Sequence, residues 1–234
     1  MRRPVVDYRR VRLNNINTPE FAHLKLLLGW VGYFLLYFLT ENLIPPEKCH
    51  VVHCALDDLI PFCEVFVIPY VFWYLLVFGS LLYFLLYDVE SFKKLQIYII
   101  VTQVVAMAVY LIWPSIQLLR PETFPRQNVL TQILSIIYTV DTPTGVCPSL
   151  HAAYSLGIAS VWLKRRRTGW GWRAAIGFAA AVICVCVTFV KQHSALDVLW
   201  ALPLGLLAEW IAYGKDYWLP RLRGKRKKQE EPVA

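Results

Sequence analysis

The sequence predicts an all-α, polytopic membrane protein with six transmembrane helices and both termini cytoplasmic. Three observations predict it. Hydrophobic residues make up 57% of the 234-residue chain and charged residues only 17%, too apolar a balance for a soluble domain of this length. Six apolar runs follow one another, most of them close to the roughly 20 residues that a span requires. The basic residues then sort by side. With both ends inside, 20 of the 24 Lys and Arg fall in inner segments and 4 in outer loops, as the positive-inside rule demands. The net charge of +8 follows from that topology. The basic residues flank apolar runs and do not share one folded face, so nucleic acid is not an expected partner.

Residues 1–23 carry Arg2, Arg3, Arg9, Arg10 and Arg12 and read as an interfacial segment drawn to anionic headgroups, or as a disordered basic tail. They lack the apolar core and cleavage site of a secretory signal. The spans are expected at 24–39, 62–87, 95–113, 149–163, 172–190 and 194–213, together forming a membrane domain over 24–213. The fourth is short, so it should tilt little or begin below the outer interface. Pro69 and Pro203 fall inside spans and are expected to kink them. Residues 214–234 form a basic cytoplasmic tail whose run at 221–228 anchors the topology. Of the outer connections, 41–61 holds Asp57 and Asp58 beside apolar residues and suits a short helix lying on the membrane. The longest, 114–148, has the length of a functional loop.

Cys49, His50, His53 and Cys54 are metal-ligand types in one short run. A closed zinc site needs four convergent ligands, which so short a run rarely allows, so no metal is expected. Cys49 and Cys54 stand as ordinary interfacial cysteines or as a disulfide pair. Cys184 and Cys186 lie inside an apolar run as packing residues.

Two polar islands interrupt the apolar pattern, 141–151 and 191–197. In the second, His193 and Asp197 are four residues apart and share one helix face. A carboxylate there accepts a hydrogen bond from one ring N–H and leaves the other nitrogen free as a nucleophile or base. In the first, Pro148 and Ser149 open a helix whose unpaired N–H groups suit an anion. His151 follows in the first turn, within reach of a leaving oxygen. Arg120 and Lys191 add positive charge on the same predicted side, where phosphoryl transfer needs it. The expected chemistry has two steps and needs no cofactor. His193 attacks a lipid phosphate while His151 protonates the departing group; water or an alcohol, deprotonated by His151, then takes the phosphoryl group. Singly, each residue has a plainer reading: Asp197 as a helix cap, the histidines as packing residues. Together, ionisable groups gathered at span mouths point to function.

These residues resemble the phosphatidic acid phosphatase type 2 superfamily, whose signature is K-x6-R-P, then P-S-G-H, then S-R-x5-H-x3-D. Arg120-Pro121 matches the end of the first block, Pro148-Ser149-Leu150-His151 the second, and His193 with Asp197 the third. The sequence departs at Trp113, where the family has Lys, at Leu150, where it has Gly, and at Cys186 and Val187, where it has Ser and Arg. The forms P-S-L-H and K-Q-H-x3-D, and the segment from Asp57 to Phe62, are more similar to the branch containing inositol phosphorylceramide synthases. The resemblance implies His193 as nucleophile, Asp197 as its orienter and His151 as acid and base. It implies Arg120, Lys191, Ser149 and Leu150 as phosphate-binding positions. The implied activity is a metal-independent lipid phosphatase or headgroup phosphotransferase, on a phospholipid, isoprenoid or sphingolipid phosphate, at the non-cytoplasmic face of the cell membrane. A transporter or scaffold on a catalytically degenerate version of the fold is the alternative. The expected partners are a lipid phosphate and the bilayer.

Overall fold

The structure is a computed structural model and describes residues 4–165 and 168–223. Its elements run α1 (Leu28–Leu43), β1 (His50–Val51), α2 (Ala55–Leu59), α3 (Val67–Tyr87), α4 (Val89–Ile112), β2 (Ser115–Ile116), α5 (Val129–Val140), α6 (Leu150–Lys164), α7 (Trp170–Phe189) and α8 (Ala195–Tyr213). Five segments are long and apolar enough to cross a membrane: Ala22–Leu43, Glu64–Tyr87, Val89–Ile112, Trp170–Phe189 and Ala195–Arg223. Such helices mark an integral membrane protein, because only closed hydrogen-bonding structures cross lipid. The expected fourth span is α6, whose 15 residues fall short of that length. At 1.5 Å per residue it covers roughly 22 Å of a hydrocarbon core about 30 Å thick. It is wrapped by α3, α4, α7 and α8, so protein surrounds it.

Local chemistry sets the helix ends. Asp88 caps α4 by accepting from the Ser91 N–H (3.2 Å), which starts that helix at Val89 and turns most of the expected 88–94 loop into helix. Ser194 and Asp197 form a reciprocal capping box at α8. That helix runs on through a π-helical turn, Gly214–Trp218, to Arg223, beyond the expected boundary at 213. Pro69 lies in the first turn of α3, where its missing N–H costs no intrahelical bond. Pro203 does lie inside α8.

The 114–148 connection is not irregular. It holds β2 and α5, the latter capped by Asn128, whose Oδ1 accepts from the N–H groups of Leu130 (2.9 Å) and Thr131 (3.0 Å). The 12-residue helix is apolar but too short to cross a membrane. The 41–61 loop contains α2, and β1 pairs in parallel with β2. At the other end of the bundle, residues 4–23 pack on the close of α3: the Val5 N–H and the Tyr8 hydroxyl donate to the carbonyls of Leu86 (2.8 Å) and Leu85 (2.7 Å). Arg2, Arg3 and residues 224–228 of the basic run lie outside the described residues.

The bundle is locked around Tyr98 of α4. A Cβ added at Gly157 of α6 would lie 2.5 Å from its ring, and one at Gly205 of α8 2.7 Å from its hydroxyl. Three helices therefore approach closely at one tyrosine. This clamp fixes α6, whose first turn carries His151, against α8, whose first turn carries Asp197 and whose N-cap Ser194 follows His193.

Candidate active site

Both polar islands end at the same end of the bundle. The 143–148 segment is held by β2: the Gly145 N–H donates to the Ser115 carbonyl (2.8 Å), and the N–H groups of Val146 and Cys147 donate to Ser115 Oγ (3.2 and 3.1 Å). Gly145 has φ of 59°, and Tyr110 lies 3.3 Å from where a Cβ would stand, so both conformation and space require glycine there. The Tyr110 hydroxyl donates to the Pro148 carbonyl (2.7 Å). The Ser149 N–H donates to the main-chain oxygen of Asp197 (3.0 Å), which ties the start of α6 to α8.

The result is a linear relay. His193 Nδ1 meets Asp197 Oδ2 at 3.2 Å, and His193 Nε2 meets His151 Nδ1 at 3.2 Å. The ring centroids of the two histidines are 5.4 Å apart. Asp197 is wholly buried, and its Oδ2 also accepts from the Ser194 N–H (2.9 Å). An ionised carboxylate only accepts, so Asp197 assigns the proton to Nδ1 and leaves a lone pair on Nε2 of His193. His151 Nδ1–H then donates to that lone pair.

His151 is held by aromatic rings and by its own backbone. Its ring lies against Trp73 (4.3 Å between centroids) and Tyr70 (4.9 Å). The Trp73 indole N–H and the Ser155 hydroxyl donate to its carbonyl (3.1 and 2.8 Å). Its Nε2 is buried without a protein partner. A small cleft of about 50 Å³ opens beside the pair, with Tyr33, Tyr37, Asp141, Leu150, His151, Gln192 and His193 among its walls.

The other expected site residues stand differently. Leu150 lines the cleft. Ser149 is fully buried and spends its hydroxyl as the α6 cap, accepting from the Ala152 N–H (3.3 Å). Arg120 lies behind Gln192. It donates to the carbonyls of Tyr138 (3.0 Å) and Asp141 (2.6 Å) and to Gln192 Oε1 (2.5 Å). Its guanidinium covers the Tyr138 ring at 4.5 Å, and burial lowers its pKa from the usual arginine value.

Lys191, expected as a phosphate ligand, directs its ammonium to main-chain oxygens and not to the histidines. Its φ of 53° turns the side chain toward α2, where Nζ donates to the carbonyls of Asp57 (3.1 Å) and Ile60 (2.5 Å). Burial lowers its pKa, against the pull of Asp57 and Asp58. Lys191 is thus a clamp that joins the outer loop to the α7–α8 turn.

The metal-type run is spent elsewhere. His50 stacks on Trp113 (5.1 Å, 6° between planes), His53 Nε2 meets Asp58 Oδ1 at 2.8 Å, and Cys49 Sγ points to the Pro45 carbonyl (3.8 Å). All six cysteines are free thiols, which decides Cys49 and Cys54 against a disulfide. Among the described residues no three His, Cys, Asp or Glu side chains converge as a metal site.

Two carboxylates escape the sequence reading. Asp57 accepts from the Ser194 hydroxyl (2.5 Å), the Ala195 N–H (2.7 Å) and the Cys54 N–H (2.9 Å). Burial pushes its carboxyl up, but those hydrogen bonds outweigh it and hold the group below the ordinary carboxylate range. Asp141 accepts on Oδ2 from the Tyr70 hydroxyl (2.8 Å) and Gln192 Nε2 (3.0 Å). Both aspartates belong to segments rich in polar residues; nothing in one dimension tells which partner each would meet. Comparison with family models, curated proteins and solved structures returns no match for this chain.

Proposed function

We propose that this protein is an integral membrane lipid phosphatase or headgroup phosphotransferase that works through a phosphohistidine on His193. The observation that carries the reading is the relay Asp197–His193–His151, at 3.2 Å for each step, beside an open cleft. The resemblance of the same three residues to the phosphatidic acid phosphatase type 2 signature supports it.

In the first step the Nε2 lone pair of His193 attacks phosphorus. The N–P bond forms, the P–O bond to the leaving group breaks, and protonated His151 gives its proton to the departing oxygen. Asp197 retains the Nδ1 proton on His193 and offsets the charge that develops on the ring. In the second step His151 takes a proton from water or a lipid alcohol. That oxygen attacks phosphorus, the N–P bond breaks, and Nε2 regains its lone pair. Positive potential for the phosphate oxygens comes from the first turn of α6 and from Arg120 behind Gln192.

In this reading α6 is the fourth of six spans. Both termini face the cytoplasm, and the cleft opens on the non-cytoplasmic face of the cell membrane. The 20-to-4 partition of basic residues supports it. The short α6 supports it too, since a helix that stops below the surface leaves its first turn at the floor of a depression.

The test is to trap the intermediate. Purified protein is incubated with lipids phosphate-labelled in the headgroup, quenched in alkali, and the peptide containing His193 is analysed by mass spectrometry. The expected result is a phosphoryl or phospho-headgroup adduct on His193, absent in His193→Ala. Turnover that persists in His193→Ala sinks the mechanism.

A further inference from the structure

We infer that the cleft beside the histidines is a subsite for an amine-bearing headgroup, whose ammonium is held by Asp141 and the rings of Tyr33 and Tyr37. The inference rests on the phosphoryl-transfer reading for its context, but its observations are independent of it.

Two carboxylates at this end form no direct ion pair: Arg120 reaches Asp141 only through its main-chain carbonyl and across Gln192, and it acts on Glu41 only at a distance. Asp141 Oδ2 accepts from the Tyr70 hydroxyl and Gln192, and Oδ1 accepts only a long bond from the Tyr37 hydroxyl (3.4 Å). Behind the cleft wall Glu41 accepts from the hydroxyls of Thr142 and Thr144, the latter at 3.1 Å. All of these donors are neutral. Among the described residues neither carboxylate forms an ion pair. The nearby cations are committed to neutral oxygens: Arg120 touches Asp141 only at its main-chain carbonyl, and Lys191 ends on the carbonyls of Asp57 and Ile60.

Partly buried carboxylates are costly without a counter-charge. Asp141 lines the open cleft, and so do the rings of Tyr33 and Tyr37, whose centroids are 5.9 Å apart with a 32° tilt. A carboxylate with aromatic faces on one wall is the chemistry that recognises an ammonium. A second phosphate, as in an isoprenoid diphosphate, would set anion against anion. A divalent ion such as calcium needs about six to eight oxygen ligands, whereas among the described residues lining the cleft Asp141 is the one carboxylate. The subsite is joined to the reacting groups. Gln192, which holds Asp141, precedes His193, and Tyr70, which also holds it, lies against His151.

The test uses soluble headgroups on the full-length protein in detergent. Affinities for ethanolamine phosphate, glycerol phosphate, inositol phosphate and pyrophosphate are measured by titration calorimetry on wild type and Asp141→Asn. Ethanolamine phosphate should bind about tenfold tighter than glycerol phosphate, the scale of a desolvated cation–π and carboxylate contact. Asp141→Asn should erase that preference while leaving glycerol phosphate unchanged. If Asp141→Asn does not yield folded protein, Tyr37→Leu carries the test and should reduce the preference severalfold. Equal or tighter binding of glycerol phosphate, inositol phosphate or pyrophosphate, no binding of ethanolamine phosphate, or a preference that survives the substitution overturns the inference. Selective ethanolamine phosphate binding without a His193 adduct would leave the subsite standing and sink the phosphoryl-transfer reading. An adduct formed faster from phosphatidate than from phosphatidylethanolamine, with no amine preference, would do the reverse.

Discussion

The two ends of the bundle handle charge in opposite ways. At the end away from the histidines, cations and carboxylates meet directly: Lys164 with Glu209 (2.7 Å), Arg165 with Asp88 (2.7 Å) and Lys94 with Asp216 (2.6 Å). At the histidine end, Arg126 and Glu64 pair on the rim (3.3 Å), but the inner groups are kept apart. Asp57, Asp141 and Glu41 take neutral donors, while Arg120 and Lys191 take neutral acceptors. Paired charges hold helices together and have nothing left for a ligand. Charges separated by neutral groups keep their potential for something that arrives. The first end joins its charges; the second keeps them apart, which is the arrangement the proposed chemistry requires.

The largest effect that would break this contrast is at the relay. His193→Ala should lower turnover on the order of 10⁴-fold, and Asp197→Asn by about 10²- to 10⁴-fold, because the amide no longer fixes the reactive tautomer. Both are read in a lipid phosphate-release assay corrected for the folded fraction by size exclusion. Turnover within tenfold of wild type for both would mean that this end is no more chemical than the other.

Asp57 comes next. It ties α2 to the start of α8, within two residues of His193, through two hydrogen bonds, and a third from the Cys54 N–H closes the α2 cap. Asp57→Asn should cost about 2–4 kcal/mol of stability and lower turnover roughly tenfold by loosening the relay. The pH dependence has a definite sign. The folded pKa lies below the unfolded one, so the contribution is fully present above the ordinary aspartate value of about 3.9 and is lost as pH falls through the folded value. Thermal unfolding in detergent from pH 7 down to pH 3 should therefore show a steeper acid loss in wild type than in Asp57→Asn. Parallel slopes would remove Asp57 as the cause.

These residues also show what was legible in one dimension. Spans were readable because hydropathy is a property of consecutive residues. His151, His193 and Asp197 were readable because each sits at a helix start with a characteristic spacing. Three things were not. Short α5 is apolar, but its 12 residues fall well below the length of a span, the scale on which the hydropathy of this chain reads. Asp57, Asp141, Tyr70 and Gln192 acquire meaning only from partners 51 to 138 residues away. Lys191 was misjudged because nearness to His193 in sequence suggested nearness in space, whereas a left-handed backbone at that residue turns the ammonium away.

A smaller effect on chemistry, though not on stability, is expected at the opposite end. Lys164 and Glu209 are each 14% exposed, and Lys164 also faces the rings of Tyr213, Tyr217 and Trp218. Lys164→Met leaves Glu209 without its cation and should cost about 3 kcal/mol. Turnover per folded molecule should stay within about twofold of wild type, as expected for a site with no part in transition-state binding. A large fall in turnover at full folding would couple the two ends and dissolve the distinction between them.

The smallest expected effect is that of a chelator. The run from Cys49 to Cys54 has four ligand-type side chains, but each is engaged in its own direction: His50 on Trp113, His53 on Asp58, Cys49 toward Pro45, and Cys54 at the start of α2. Convergence on one ion would require unstacking His50 and breaking the His53–Asp58 pair. EDTA should therefore leave turnover within about twofold, and His53→Ala should cost no more than the roughly 0.2–1 kcal/mol of an exposed ion pair. A chelator that abolishes turnover while His53→Ala does not would move attention from this run to the cleft. The counter-charge facing Asp141 would then be a metal ion and not an ammonium, and the contrast between the ends would stand with a different ligand completing it.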